Sequence, residues 1–146
     1  MKKLFTALTL SLIAAVPAAV AENIDVVMTT SYGDIHIALH ADKAPLTVSN
    51  FLRSVDGKHF DGATFYRTVT YENDQGEPKI EVIQGGRRNA ERFFDPIDHE
   101  DTGMTGLSHA DGVISMARLG VGTASSEFFI VIGDQPGLDK GEARNA

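Results

Sequence analysis

The chain contains no cysteine and no tryptophan, and only 5 of its 146 residues are proline. Without cysteine, neither a disulfide framework nor a thiolate metal site can support the fold. Basic residues are also scarce, because 13 lysines and arginines stand against 20 acidic residues and leave a formal net charge of −7. Such a surface disfavours a nucleic-acid partner, whose phosphates require basic patches, and offers no basic face to anionic lipid.

The first 21 residues, MKKLFTALTLSLIAAVPAAVA, have the features of an export signal. Two lysines precede a mostly apolar run from Leu4 to Val16, and small residues then lead to Ala21. The run is shorter than the roughly 20 residues that a spanning helix needs, which favours a cleaved signal over an uncleaved anchor. We therefore expect cleavage after Ala21, a periplasmic location, no membrane association after cleavage, and one mature domain over residues 22–146.

The residue pattern predicts one helix among several strands. In the segment APLTVSNFLRSVDGKHF, apolar residues recur at helical spacing, with Pro45 in the first turn and Gly57 just past the end. Residues 70–79 are polar and contain Gly76 and Pro78, which predicts a loop. Alternating or apolar runs predict strands at 25–29, 33–39, 64–69, 80–84, 112–117 and 127–133. This order favours an antiparallel barrel or sandwich with helical covering.

Four motifs occur in order along the chain: GDIHIALHADKAPLTVSNFLRSV, FYR followed by IQGG, GVISMAR, and GTASSEFFIVIG. Together they resemble the cyclophilins, a family of peptidyl-prolyl cis/trans isomerases, over about residues 24–138. The resemblance implies a mainly β fold, a closed antiparallel eight-stranded barrel with capping helices and a substrate groove on its outer face. It also implies an enzyme that accelerates X-Pro isomerisation during the folding of exported proteins, with no cofactor and no metal.

The resemblance assigns the catalytic role to Arg67, in the middle of the predicted strand 64–69. A lone arginine in a strand more often faces solvent, but the Gln84-Gly85-Gly86 and SSEFF segments favour a position in the groove. Phe128 and Phe129 are adjacent in a strand and must face opposite sides, so one fills the core while the other serves the groove. The substrate-binding residues implied by the resemblance are Phe65, Val82, Gln84, Ala117, Arg118, Glu127, Phe129 and Leu138.

The reaction can be argued from chemistry alone. Amide resonance makes the barrier to rotation, so a catalyst needs a donor that favours a localised nitrogen lone pair and a site that holds the twisted bond. A guanidinium suits this task because it is always charged and carries five N–H donors in a fixed fork. The expected partners are proline-containing segments of unfolded or folding proteins, and we expect a monomer.

Several positions depart from the family pattern. Glu81 stands where a pocket phenylalanine is usual, Gly137 stands where some members carry a tryptophan, and the loop 70–79 is longer than usual. The final barrel strands, a C-terminal helix and a groove histidine of the family have no counterpart after Leu138, which suggests a truncated domain. Two alternatives therefore stay open: a proline-peptide-binding, chaperone-like module with little catalysis, or an inactive truncated copy.

The histidines raise the question of a metal site. His36 and His40 are four residues apart, but on a predicted strand rather than a helix, and the sequence has no HExxH motif. Surface positions are the better interpretation for all five: His36, His40, His59, His99 and His109.

Overall fold

The structure is a computed structural model that describes residues 23–87 and 94–146. The predicted export signal over residues 1–21 lies outside the described residues. No helix in the described ranges is long and apolar enough to cross a membrane. In chain order the elements are β1 Ile24–Thr30, β2 Gly33–Leu39, α1 Pro45–Asp56, β3 Thr64–Val69, β4 Val82–Gly86, α2 Thr102–Thr105, β5 Ile114–Met116, β6 Glu127–Val131 and a 3₁₀ helix Pro136–Leu138.

The predicted helix is confirmed as α1, which begins at Pro45 and ends at Asp56. Pro45 occupies the first turn, where its missing N–H removes no helical hydrogen bond. Gly57 follows the last residue, and its N–H donates to carbonyl oxygens of the final turn. On the buried face, the ring of Phe51 lies 6.0 Å from the ring of Phe128, so α1 covers one face of β6.

The six predicted strands are confirmed, with shifted ends. β2 and β3 match the predicted bounds, whereas β4 starts two residues late and continues through Gly85 and Gly86. Gly86 adopts a φ of +117°, and a Cβ there would lie 2.9 Å from the carbonyl oxygen of Ser126. The glycine therefore keeps the strand paired where a larger residue would clash. The short α2 and the 3₁₀ helix were not predicted, because neither is long enough to show a period.

The strands form two antiparallel sheets. β1 and β2 make a hairpin, while the larger sheet has the order β3-β4-β6-β5. The prediction of a closed eight-stranded barrel is therefore wrong: residues 23–87 and 94–146 form six strands, and no ladder joins the hairpin to β3 or β5. A barrel closes only when every edge strand pairs with a neighbour. Within the described residues, side chains of the hairpin, α1 and β6 pack together in one apolar cluster, and this packing rather than a strand ladder connects the two sheets.

The two faces of the larger sheet carry separate apolar clusters. Phe128 belongs to a cluster that also contains residues of β2 and α1, including Ile37 and Phe51. Phe129 belongs to the second cluster, with Val82 and Leu138. The prediction that the two adjacent phenylalanines serve opposite faces is thus confirmed, and the Phe129 face is the one on which the candidate site lies.

Candidate active site

A groove of about 490 Å³ opens on the Phe129 face of the larger sheet, and we call it the Phe129 groove. Its walls come from β3, β4, the end of β5 with the segment that follows it, β6, the 3₁₀ helix and the segment 144–146. The structure brings eight of the nine predicted site residues into this lining: Arg67, Val82, Gln84, Ala117, Arg118, Glu127, Phe129 and Leu138.

Phe65 does not reach the groove, which corrects the assignment from the sequence. In the β3–β4 ladder Phe65 pairs with Gly85 and Arg67 pairs with Gln84, so the register shifts by one residue at a β-bulge. Without the bulge, residues two apart would share a face; with it they point to opposite faces. The Phe65 ring packs edge-on against Phe128, with centroids 5.9 Å apart, on the far side of the sheet.

Arg67 is exposed and lies beside Gln84, into whose Oε1 its Nη1 donates at 3.1 Å. The amide nitrogen of Gln84 donates in turn to the hydroxyl of Tyr66 at 2.7 Å, and lies 3.5 Å from a carboxylate oxygen of Glu127. These contacts fix which way the Gln84 amide faces, because its oxygen must then point towards Arg67. Tyr66 was missed from the sequence; its place beside Arg67 in the FYR motif was the available signal.

The base of the groove is apolar. Phe129, Val82 and Leu138 are buried and pack together. Ile80 extends the same cluster and also lines the groove, although it is not among the site residues predicted from the sequence. A carboxylate oxygen of Glu81 instead accepts the backbone N–H of Tyr71 at 3.4 Å. The alternation of Ile80 with Val82 was the signal that could have identified this wall.

Ala117 and Arg118 form one rim of the groove at the end of β5. The backbone N–H of Ala117 donates to the carbonyl oxygen of Glu127 at 2.9 Å, so this donor is already used within the sheet. The Nη2 atom of Arg118 donates to the backbone carbonyl of Asn145 and, at 3.2 Å, to its side-chain oxygen. Arg118 therefore lies across the groove wall, next to the segment 144–146.

The loop 70–79 is confirmed as a loop, and its Asp74 contacts Arg144, which lines the groove. The carboxylate of Asp74 is buried, accepts the N–H of Ile80 at 2.9 Å, and pairs with Arg144 at 2.8 Å. Burial by itself would raise the pKa of Asp74, but these hydrogen bonds outweigh burial and lower it to about 2. Pro78 of the loop fills the space beside Gly137, where a Cβ would meet its Cγ at 2.5 Å.

One of the five histidines lies directly behind the groove, so the expected surface position is wrong for His109. It is 5% exposed, and its Nδ1 atom is 2.8 Å from the carboxylate of Asp139. Its other ring nitrogen lies 3.3 Å from the hydroxyl of Ser115. Burial is tolerated because both ring nitrogens have polar partners. Within the described ranges, no group of three or more acidic or histidine side chains is arranged to hold a metal ion.

Residues 25–144 match the family model described as "Cyclophilin type peptidyl-prolyl cis-trans isomerase/CLD". The chain is 37% identical over 120 residues to peptidyl-prolyl cis-trans isomerase-like 1 of Rhizopus delemar, which covers 81% of this chain and 69% of the relative. It is 34% identical over 139 residues to peptidyl-prolyl cis-trans isomerase A of Dickeya dadantii, which covers 91% of this chain and 67% of the relative.

A solved structure supports the same relationship. The crystal structure of a cyclophilin type peptidyl-prolyl cis-trans isomerase from Cryptosporidium parvum matches with a TM-score of 0.60 at 26% sequence identity, covering 80% of this chain and 72% of that chain. The mainly β, cyclophilin-like character of the fold is thereby confirmed, although the described residues do not close a barrel. The chain belongs to the cyclophilin-type peptidyl-prolyl cis-trans isomerases, a family of isomerase enzymes.

Proposed function

We propose that the Phe129 groove isomerises X-Pro bonds, with Arg67 as the electrostatic catalyst, and that its substrates are prolyl segments of newly exported proteins. One observation carries the catalytic part of this proposal: an exposed guanidinium is held by Gln84 in the same groove as the buried apolar base built on Phe129. The proline ring would occupy the apolar base, while the flanking peptide lies along the rim.

The chemistry follows from what a planar amide requires in order to rotate. The twisted state lies about 18–20 kcal/mol above the planar forms, because resonance shares the nitrogen lone pair with the carbonyl. A hydrogen bond from Arg67 to the proline nitrogen favours the localised, pyramidal form of that nitrogen over the conjugated one. Beyond its bond to Gln84, Arg67 has no further acceptor in the described part of the chain, so donors remain for a substrate.

Arg67 cannot supply the whole rate increase. A charge-assisted hydrogen bond contributes about 1.5–3 kcal/mol, whereas a rate gain of about 10⁴ needs roughly 5.5 kcal/mol. We assign the rest of the decrease in activation free energy to two features. The apolar base binds the proline ring, and contacts at the rim hold the neighbouring residues while the X-Pro bond rotates. Phe129, Val82 and Leu138 are packed and buried before substrate arrives, so little ordering is needed on binding.

The catalytic part is tested by exchange kinetics on a short X-Pro peptide. Arg67→Ala should lower kcat by about 10- to 150-fold, because it removes one charged hydrogen bond made in the transition state. Arg67→Lys keeps the charge but loses the planar fork, and should recover only part of the rate. Arg53→Ala is the control, because this exposed arginine lies over the ring of Phe94, outside the groove.

Exchange kinetics, peptide titration and thermal melting separate the alternatives. Equal rates for the intact chain and Arg67→Ala would overturn the mechanism. A peptide that binds in titration without any change in its exchange rate would instead support a chaperone-like module. A featureless thermal melt of the intact chain would support an inactive copy.

The export part of the proposal rests on the sequence of residues 1–21. Expression of the full chain in a Gram-negative bacterium should yield a periplasmic protein whose first residue is Glu22. A protein that keeps Met1, or that stays in the cytoplasm or the membrane fraction, would contradict this part. We also propose a monomer, and light scattering of the purified protein should give the mass of a single chain.

A further inference from the structure

Arginines are concentrated in one place on an otherwise acidic protein. The chain has a net charge of −7, yet four of its arginines line the Phe129 groove: Arg67, Arg87, Arg118 and Arg144. Among the lining side chains, Glu127 is the single carboxylate. A groove with charges of one sign and apolar walls focuses the electrostatic potential, so it raises the local concentration of ligands with the opposite charge.

The arginines differ in how far the protein itself neutralises them. Arg144 forms an ion pair with Asp74 at 2.8 Å, so its charge is largely balanced. Arg67 donates to the neutral Gln84, and Glu127 lies 3.5 Å from the same amide, which places a negative charge near that end of the groove. The catalytic end of the groove therefore carries charges of both signs.

Arg118 forms no ion pair with a described residue, because both of its hydrogen-bonding partners belong to Asn145 and are neutral. Arg67 also has a neutral partner, but Glu127 lies close to that partner. The Nε atom of Arg118 is buried and has no hydrogen-bond partner among the described residues. The buried Nε atom is out of reach of a ligand, so the donor left for one is Nη1, which has no hydrogen-bond partner among the described residues. A carboxylate is the acceptor that a guanidinium binds most strongly. The protein thus holds a guanidinium without an ion pair to any described residue at the rim of the groove, next to Ala117 just after β5.

We propose that the groove selects prolyl segments that carry a carboxylate next to the proline, and that Arg118 is the residue that recognises it. The inference rests on the proposed isomerase function and specifies its substrates. The proline ring binds on the apolar base at Phe129, and Arg67 donates a hydrogen bond to the nitrogen of the isomerising X-Pro bond. Arg118 binds the acidic side chain at the rim. Arg118 and Phe129 line the same groove, and successive Cα atoms are about 3.8 Å apart, so we place the acidic residue next to the proline.

Two peptides of equal shape test this assignment, one with Glu and one with Gln directly before the proline. For the intact chain we expect the KM of the Glu peptide to be about five- to tenfold lower, with similar kcat values, because a contact made in both ground and transition states lowers KM alone. High salt should reduce the preference, because ions screen charges near the surface.

The readout is the ratio of kcat/KM for the two peptides within each variant, so that a general loss of activity cancels. Arg118→Gln should bring this ratio close to one, and Arg118→Lys should recover part of it. Arg53→Gln, which removes the same charge outside the groove, should keep the ratio of the intact chain. If circular dichroism shows that Arg118→Gln does not fold, the test uses the intact chain alone. Its ratio of kcat/KM for the two peptides, and the salt dependence of that ratio, then decide whether the groove recognises the carboxylate.

A ratio near one for the intact chain, or a preference that persists in Arg118→Gln, would overturn the inference while leaving the proposed isomerase intact. No catalysis of either peptide by the intact chain would instead contradict the proposed function itself. A preference that survives 1 M salt also counts against charge recognition by Arg118.

Discussion

The imidazole ring of His109 lies nearly parallel to the ring of Phe129, with the centroids 6.0 Å apart and 16° between the planes. Asp139 and Ser115 hold the imidazole from either side, so the base of the groove rests on a buried and fixed ring. The position of Phe129 in the groove therefore depends on residues behind it that do not contact the substrate.

Replacing this support should weaken both the fold and substrate binding. His109→Ala leaves a void behind Phe129 and removes the ring partner of the Asp139 carboxylate, which still accepts the backbone N–H of residue 109. We therefore expect the free energy of unfolding to fall by roughly 2–3 kcal/mol. KM for an X-Pro peptide should rise, because Phe129 gains freedom to move. Urea denaturation and exchange kinetics measure the two effects. The exposed His36→Ala is the control, and equal stabilities for the two variants would contradict the supporting role.

Tyr66 should act through Gln84 rather than on substrate. Tyr66→Phe removes the hydroxyl that accepts the Gln84 amide at 2.7 Å, so the amide can rotate away from Arg67. We expect kcat to fall about three- to tenfold with little change in KM, since one neutral hydrogen bond is worth about 1 kcal/mol. In Gln84→Ala the same tyrosine substitution should have almost no further effect.

The matched control for this series is Tyr32→Phe, because Tyr32 is fully exposed in the β1–β2 turn. A kcat for Tyr66→Phe that equals that of Tyr32→Phe would show that the hydroxyl does not position the amide. Additive losses in the double variant would lead to the same conclusion.

The acid stability of the protein should depend on Asp74. Its folded pKa of about 2 lies below the ordinary 3.8, so the ionised form adds stability that is complete above about pH 4 and is lost as the pH falls towards 2. Asp74→Asn should therefore lower the free energy of unfolding by roughly 1–3 kcal/mol at pH 7, and by much less at pH 2.5. Urea denaturation across this range measures the difference.

An exposed carboxylate provides the control for the pH series. Asp34→Asn in β2 should leave the free energy of unfolding within about 0.5 kcal/mol of the unsubstituted protein at every pH. If the difference caused by Asp74→Asn is as large at pH 2.5 as at pH 7, ionisation of Asp74 is not the source of its stabilisation.

The β-bulge in β3 predicts different effects for two apolar residues. Phe65→Ala removes a ring that packs on Phe128 behind the sheet, so it should lower stability by roughly 1–3 kcal/mol and leave KM within about twofold. Val82→Ala opens the base of the groove and should raise KM clearly. Paired kinetic and denaturation measurements test this, and a large rise of KM in Phe65→Ala would contradict the face assignment.

The helix and the strands were predictable wherever the repeating pattern of apolar residues was long enough to detect. The helical spacing around Phe51, with Pro45 in the first turn and Gly57 past the end, predicts α1. The alternation of Ile35, Ile37 and Leu39 likewise predicts β2. Such patterns are local, because the position of each apolar side chain follows from the element's own geometry.

The candidate site was less predictable, for reasons that lie between the elements. The sequence alone determined that Arg67 and Gln84 belong to strands and that Phe128 and Phe129 face opposite sides, since these follow from strand geometry. The tertiary structure decided that Phe65 turns away from the groove, that the two sheets do not close, and that His109 supports Phe129. Those outcomes depend on strand register, bulges and contacts between distant segments, and a local pattern of apolar residues does not determine any of these.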